Sequence, residues 1–340
     1  MNYRVFAGLG FLLAIGLTAR LLSTVLPVNH LIITVLLGLL IGNLYGIPAW
    51  AQTAVETHTL WLELGIVVMG ASVALDRIFE AGSVIILLVI TTVVATTLLI
   101  EFLARVVFTI HEETGSLLAA GSGICGVSAV VAVAESITAD ESRIAYAAAT
   151  VIIFDAMTLF IYPLVGHALE LSNTVFGIWA GLTMFSTGPV AAAGFAFSDT
   201  AGQWALLAKL TRNSLIGFVA VVYAFSYAQK TSSGTSGGTK HGDSTPSHTV
   251  QWKFLWRSFP KFVLGFVGMI AVANTGLLTS GQLTSLSHLS DWAFLLAFAG
   301  LGLEIQLADF RNTGYRPIVV VFTGWVVVAS VMLLVVQILF

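Results

Sequence analysis

Residues 119–130 read AAGSGICGVSAV, placing Gly121, Gly123 and Gly126 with Ser122 and Ser128 inside an otherwise apolar run near 115–135. Each glycine weakens a helix by about 1 kcal/mol relative to alanine. A helix broken here would release backbone N–H and C=O groups. Inside a bilayer such groups are tolerated only where they line a cavity or meet a ligand. Half-helix N-termini aimed at an anion are a common use of such a break. Close packing through small residues is the competing reading; the break is taken as the working expectation.

The flanking sequence sets the solvent. Of 340 residues, 57% are hydrophobic and only 9% charged, where a soluble domain carries about 25%. Apolar runs of about 18 or more residues recur throughout, each long enough to cross a hydrocarbon core about 30 Å thick. The alternation of a spanning β-barrel is missing. The fold class is therefore an all-α integral membrane protein, a single polytopic domain over 1–340. Hydropathy with Gly, Pro and charge punctuation yields about eleven spans, near 5–26, 30–47, 58–76, 83–108, 115–135, 143–166, 174–197, 204–228, 257–278, 290–307 and 316–340. The opening run continues past Arg20 to Leu26 without a small-residue cleavage site, so it reads as a span and not a cleaved leader.

Between spans eight and nine, residues 229–252 form a Gly/Ser/Thr-rich linker too polar to order itself. Arg4, Arg105, Lys230, Lys240, Lys253, Arg257, Lys261, Arg311 and Arg316 fall on one side of an eleven-span arrangement, and chiefly Arg77 and Arg143 on the other. The positive-inside bias then puts the N-terminus in the cytoplasm. Residues 64–82 (LGIVVMGASVALDRIFEAG) and 298–314 (FAGLGLEIQLADFRNTG) look alike and would cross in opposite directions, as inverted repeats do. Similar helix ends alone would produce the same likeness.

Other candidate site residues follow from what a bilayer forbids. In 185–194, FSTGPVAAAG, Gly188-Pro189 interrupts regular hydrogen bonding beside the hydroxyls of Ser186 and Thr187; a simple proline kink is the alternative. Asp155 lies mid-span, where a charge costs at least about 2.5 kcal/mol, so it is expected to carry a proton or a cation, or to pair with a buried base. Lys209 and Arg212 share one helix face next to Asn213. They are expected to bind an anionic substrate, with snorkelling to the surface as the alternative. Glu101 and Arg105 have the spacing of a structural intrahelical pair. Seven scattered histidines offer no metal spacing, and the single cysteine, Cys125, allows no internal disulfide. No nucleotide loop or catalytic motif is visible, which argues against a pump or an enzyme, and a net charge of −3 gives no sign of a nucleic-acid partner.

The segments GSGICGVSAVVAVAESI (121–137), TLFIYP (158–163), FGIWAG (176–181), VAAAG (190–194) and LLAKLTRNSL (206–215) together resemble the bacterial sulfate-exporter family of YeiH-like conserved membrane proteins. The likeness runs from about Leu36 to the last span. With LGIVVMGASVAL it extends to the wider superfamily of bile-acid/sodium symporters. That resemblance implies inverted repeats with two crossing discontinuous helices. Gly121, Ser122, Gly123, Cys125 and Gly126 would form the first of them, and Lys209 and Arg212 would be the basic positions of span eight. Members carry an acidic, histidine-bearing stretch where this chain reads MFSTGPVAAAG, and are expected to be small and neutral at Asp155. The expected function is a secondary transporter of a small anion (sulfate, sulfite or an organosulfonate) in the bacterial inner membrane, coupled to H⁺ or Na⁺. A cation/proton exchanger and a passive channel are the alternatives, and a homodimer is compatible.

Overall fold

A computed structural model describes residues 2–26, 28–73, 75–234, 260–306, 308 and 314–340. All regular structure among the described residues is helical. Among the described residues, six helical segments are long and apolar enough to cross a membrane: Val5–Ser23, Gly82–Val107, Glu141–Ala168, Asp199–Gln229, Ser280–Glu304 and Tyr315–Leu339. The linker lies outside the described residues from 235 onward, and the helix before it runs to Gly234.

Two bodies emerge from the packing. The first contains α1 (Asn2–Ser23), α2 (His30–Leu44), the short α3 (Gln52–Val55), α4 (His58–Met69, continued by a 3₁₀ turn to Ser72), α13 (Phe262–Asn274) and α14 (Ser280–Glu304). Small residues let these helices approach closely. A Cβ on Gly38 would lie 2.7 Å from the carbonyl oxygen of Ala299. The look-alike segments at 64–82 and 298–314 belong to helices that touch, for Ser290 Oγ of α14 donates to Gly65 O of α4 at 2.9 Å. The end of the second segment, at 307 and 309–313, lies outside the described residues.

The second body contains α5 (Leu75–Phe102, ending in a π turn to Val107), α6 (Glu112–Gly123), α7 (Val127–Ile137), α8 (Glu141–Ala168), α9 (Asn173–Thr183), α10 (Thr187–Phe197), α11 (Asp199–Asn213), α12 (Ile216–Gly234) and α15 (Tyr315–Leu339). Its largely aliphatic core includes an aromatic group: Tyr162 stacks on Trp179 at 4.1 Å, and Trp325 Nε1 donates to the Tyr162 hydroxyl at 3.0 Å.

Two of the eleven expected spans differ from the sequence reading. Residues 115–135 and 174–197 are broken, as their glycines, serines and proline predict, yet neither crosses. Each folds back as a helical hairpin. Arg143, just after the α6–α7 unit, pairs with Glu113 at its start at 3.1 Å and with the His111 ring. Both ends of this hairpin are therefore together. In the α9–α10 unit, Phe176 near the start stacks on Phe197 at the end, with ring centroids 3.9 Å apart. Helix α8 carries the chain from one end of the body to the other, so the hairpins enter from opposite ends. A twelve-residue helix rises only about 18 Å, enough to reach the middle of a bilayer but not to cross it. The correction also moves Arg143: it shares an end with Arg105, which holds Glu101 and Glu112, the latter at 2.7 Å.

Candidate functional site

The hairpin tips are Ile124-Cys125-Gly126 and Met184-Phe185-Ser186, and they touch at the middle of the second body. Gly126 has φ +73° and ψ −138°, open to glycine and strained for other residues. A Cβ added there would fall on Ser186 Oγ of the other tip. Gly121 and Gly123 serve packing, since a Cβ on Gly121 would meet Val130 and Val151 at 2.8 Å and one on Gly123 would meet Thr97 Oγ1 at 2.6 Å.

A broken helix exposes two kinds of end, and the structure treats them oppositely. The C-terminal carbonyls of the first arms, α6 and α9, carry the negative end of each helix dipole. Lys209 and Arg212, both fully buried on α11, point at these carbonyls. Lys209 Nζ donates to Ile124 O at 2.7 Å, to Met184 O at 3.3 Å and to Phe185 O. Arg212 donates from Nε to Gly123 O at 2.7 Å, from one terminal nitrogen to Met184 O at 2.7 Å and from the other to Ser122 O. Their three-residue spacing on α11 lets the two cations clasp both tips. The span containing them pauses between α11 and α12 just beyond this clasp.

The N-terminal ends of the second arms, α7 and α10, behave differently. Of the helices that start at the body's surface, α9 and α11 are capped by Ser172 and Ser198 accepting from Val175 N and Ala201 N, while α6 and α8 have no side-chain cap. Neither α7 nor α10 has a side-chain cap. Their first amides, on Val127 and Ser128 and on Thr187 and Gly188, have no intrahelical acceptor. All four residues line a cavity of about 690 Å³ between the two bodies. Ser186 does not cap α10, because its backbone N–H donates to Asp155 Oδ1 at 2.8 Å and its hydroxyl to Asp155 Oδ2.

Cys125, Asp155 and Asn213 also line this cavity. Asn213 donates to Thr187 Oγ1 at 2.9 Å, while its Oδ1 is buried without a partner. Of the residues singled out in the sequence, Cys125, Ser128, Asp155, Ser186, Thr187 and Asn213 come together on the cavity. Gly121, Ser122, Gly123, Lys209 and Arg212 stand behind the tips, and Gly126 joins the tips to each other. Opposite the tips the wall belongs to α4 and α14. It includes Glu63 and, at the end shared with Pro260 and Phe262, His58 and Glu304, whose Nδ1 and Oε1 are 3.2 Å apart. Nothing in the sequence marks His58, which meets Glu304 across 246 residues of chain. Among the described residues no cluster of three or more His, Cys, Asp or Glu side chains could hold a metal ion.

Residues 7–321 match the family described as Conserved hypothetical protein 698. The chain is 31% identical over 294 residues to a UPF0324 membrane protein of Nitratidesulfovibrio vulgaris, covering 86% of this chain and 79% of the relative. It is 28% identical over 310 residues to the UPF0324 inner membrane protein YeiH of Escherichia coli, covering 89% and 84%. No solved structure matches this chain significantly.

Proposed function

The chain belongs to the Conserved hypothetical protein 698 family of membrane proteins, and from that premise we propose that it is a secondary transporter carrying a small anion across the bacterial inner membrane, where its relatives reside. The observation that carries the reading is the pair of uncapped helix N-termini facing one cavity, with both opposing C-termini neutralised by Lys209 and Arg212. Aligned N–H groups and positive dipole ends favour negative charge. Two such ends converging at membrane depth make an anion site without a cationic side chain touching the substrate. The resemblance to sulfate exporters puts sulfate, sulfite and organosulfonates first among candidates.

Nine crossing segments and two hairpins make up this topology. The unit α6–α7–α8 and the unit α9–α10–α11–α12 repeat one plan in opposite senses, hairpin then crossing helix, which is the inverted repeat of an alternating-access carrier. With Arg105, Arg143, Lys261 and Arg316 at one end, the positive-inside rule makes that end cytoplasmic. The cavity reaches that end through Pro260, Phe262 and Glu304 and stops at the tips, which is an inward-facing state. The opposite side is closed by α10 against α2 and α14, where Asn29 Nδ2 donates to Phe195 O at 3.2 Å and Phe195 packs on Phe294.

Asp155 is the coupling residue in this reading, binding H⁺ or Na⁺ next to the anion. Its position on the cavity also supports a second reading, a cation/proton exchanger, and one assay separates the two. In proteoliposomes, anion counterflow that saturates is expected for the carrier, and Asp155→Asn is expected to abolish ion-driven uptake while the protein still folds. Cation exchange without anion counterflow would establish the second reading, and unchanged pH and Na⁺ dependence in Asp155→Asn would remove this residue from coupling.

A further inference from the structure

Among the described residues, no Lys or Arg side chain lines the cavity. The ionisable side chains on its wall are His58, Glu63, Cys125, Asp155 and Glu304, and of these His58 alone can become positive. An ionised carboxylate is an acceptor only, and so is an oxyanion. An anion entering from the cytoplasmic end therefore meets one side chain able to greet it with a charged donor, and only when that side chain holds a second proton.

The packing fixes which ring nitrogen faces the cavity. His58 begins α4 and is 8% exposed. Gly300 lets α14 close over it, since a Cβ there would lie 2.4 Å from His58 Cβ. Nδ1 is 3.0 Å from Val55 O and 3.2 Å from Glu304 Oε1. A backbone carbonyl can only accept, so Nδ1 carries a hydrogen and the neutral ring keeps its lone pair on Nε2. Among the described residues Nε2 has no hydrogen-bond partner, yet it is not sealed from solvent; it opens on the cavity that His58 lines.

Resting on the anion-carrier reading above, we propose that His58 forms an anion subsite at the cytoplasmic mouth of the cavity, where Nε2 takes a proton from solution and donates it in a hydrogen bond to an incoming oxyanion. Without that proton Nε2 presents a lone pair and repels the oxygens of the ligand. With it the same atom is a charge-assisted donor, and Glu304 holds the charged ring from its other side. Anion binding at this subsite thus strengthens as pH falls and levels off once the ring is charged. The other charged and titratable groups around His58 are Glu56 at the end of α3, Glu63 further along α4, Lys261 before α13, and Cys125 and Asp155 across the cavity. A proton on any of the carboxylates also favours an anion, but it leaves the Nε2 lone pair open, so a readout at Nε2 separates these groups from His58.

That readout is carbethoxylation by diethyl pyrocarbonate, which attacks the lone pair of a neutral imidazole nitrogen. It is followed by peptide mass spectrometry on the purified wild-type chain, so no variant has to fold. His58 is expected to react in the ligand-free protein and to be protected by methanesulfonate, because a bound anion keeps the proton on Nε2. Dimethyl sulfone, of similar shape and uncharged, is expected to give no protection, and neither compound should slow the exposed His288. The half-protecting concentration of methanesulfonate should fall about tenfold for each unit of pH lowered while the free ring is neutral. An unreactive His58 in the ligand-free protein, equal protection by dimethyl sulfone, or protection that does not change with pH overturns the proposal. So does methanesulfonate binding, seen as heat in a calorimetric titration, that leaves the His58 rate undiminished; in that case the anion carrier stands and the subsite falls. Absence of anion binding at any pH overturns both readings.

Discussion

The two hairpins reach the same place by different chemistry. The α6–α7 tip turns on backbone freedom, with Gly126 in a conformation that strains side-chain-bearing residues and no side chain bonding the turn from α8. The α9–α10 tip contains no glycine and is held from outside: Asp155 binds Ser186, and Asn213 reaches Thr187. Both tips share the Lys209–Arg212 clasp; beyond it, the first turns on its own glycine, and the second depends further on residues 31 and 26 positions away. A reader of sequence can find the first kind of break unaided, while the second shows only as a hydroxyl pair before Gly-Pro.

That contrast can be tested by substitutions with graded effects. Arg212→Ala is expected to be the most damaging, because it strips donors from Ser122, Gly123 and Met184 carbonyls and so loosens both tips. A loss of about 3–5 kcal/mol is expected for removing one member of a buried charged network, read as a large fall in thermal midpoint in detergent. A stable, active Arg212→Ala protein would mean that the tips hold without their clasp. Gly126→Ala should cost less, about 1–3 kcal/mol for a positive-φ backbone that only glycine adopts readily, plus the collision with Ser186.

Combining Gly126→Ala with Ser186→Ala sharpens the comparison. Removing Oγ relieves part of the collision, so the double variant is expected to be less destabilised than the two single effects added together. Strict additivity would show that the tips do not touch in solution. Thr187→Val has the smallest effect on stability, about 1 kcal/mol for one hydrogen bond, and is confined to the second tip. Because Cys125 is the single cysteine and lines the cavity, a water-soluble thiol reagent should label it from the cytoplasmic end in inverted vesicles, and a bound anion should slow that labelling. Faster labelling in right-side-out vesicles would reverse the assigned orientation.

Much of the architecture is legible before any coordinates. The low charge content, the apolar runs and the glycine spacing of 121–126 specify a helical membrane protein with a break at mid-depth, because hydrocarbon admits few alternatives. Asp155, Lys209 and Arg212 stand out for the same reason, as charges that a bilayer penalises. The Glu101–Arg105 pair was readable from its spacing and is present, enlarged by Glu112, Ser116 and Tyr223.

Other features depend on contacts distant in sequence. Whether a broken apolar run crosses the bilayer or turns back is invisible to hydropathy, since both courses bury the same residues; the Phe176–Phe197 stack and the Arg143–Glu113 pair decide it. The roles of the two cations were likewise undetermined, because a lysine and an arginine on one helix face can meet a substrate or a carbonyl equally well. Composition, periodicity and charge cost are local or additive, so the sequence alone determined the solvent, the helices and the residues that had to be paid attention to by the fold. Direction of the chain at each break, and the partner of each buried charge, are pairwise properties of segments separated by tens of residues, and only the tertiary structure decided them.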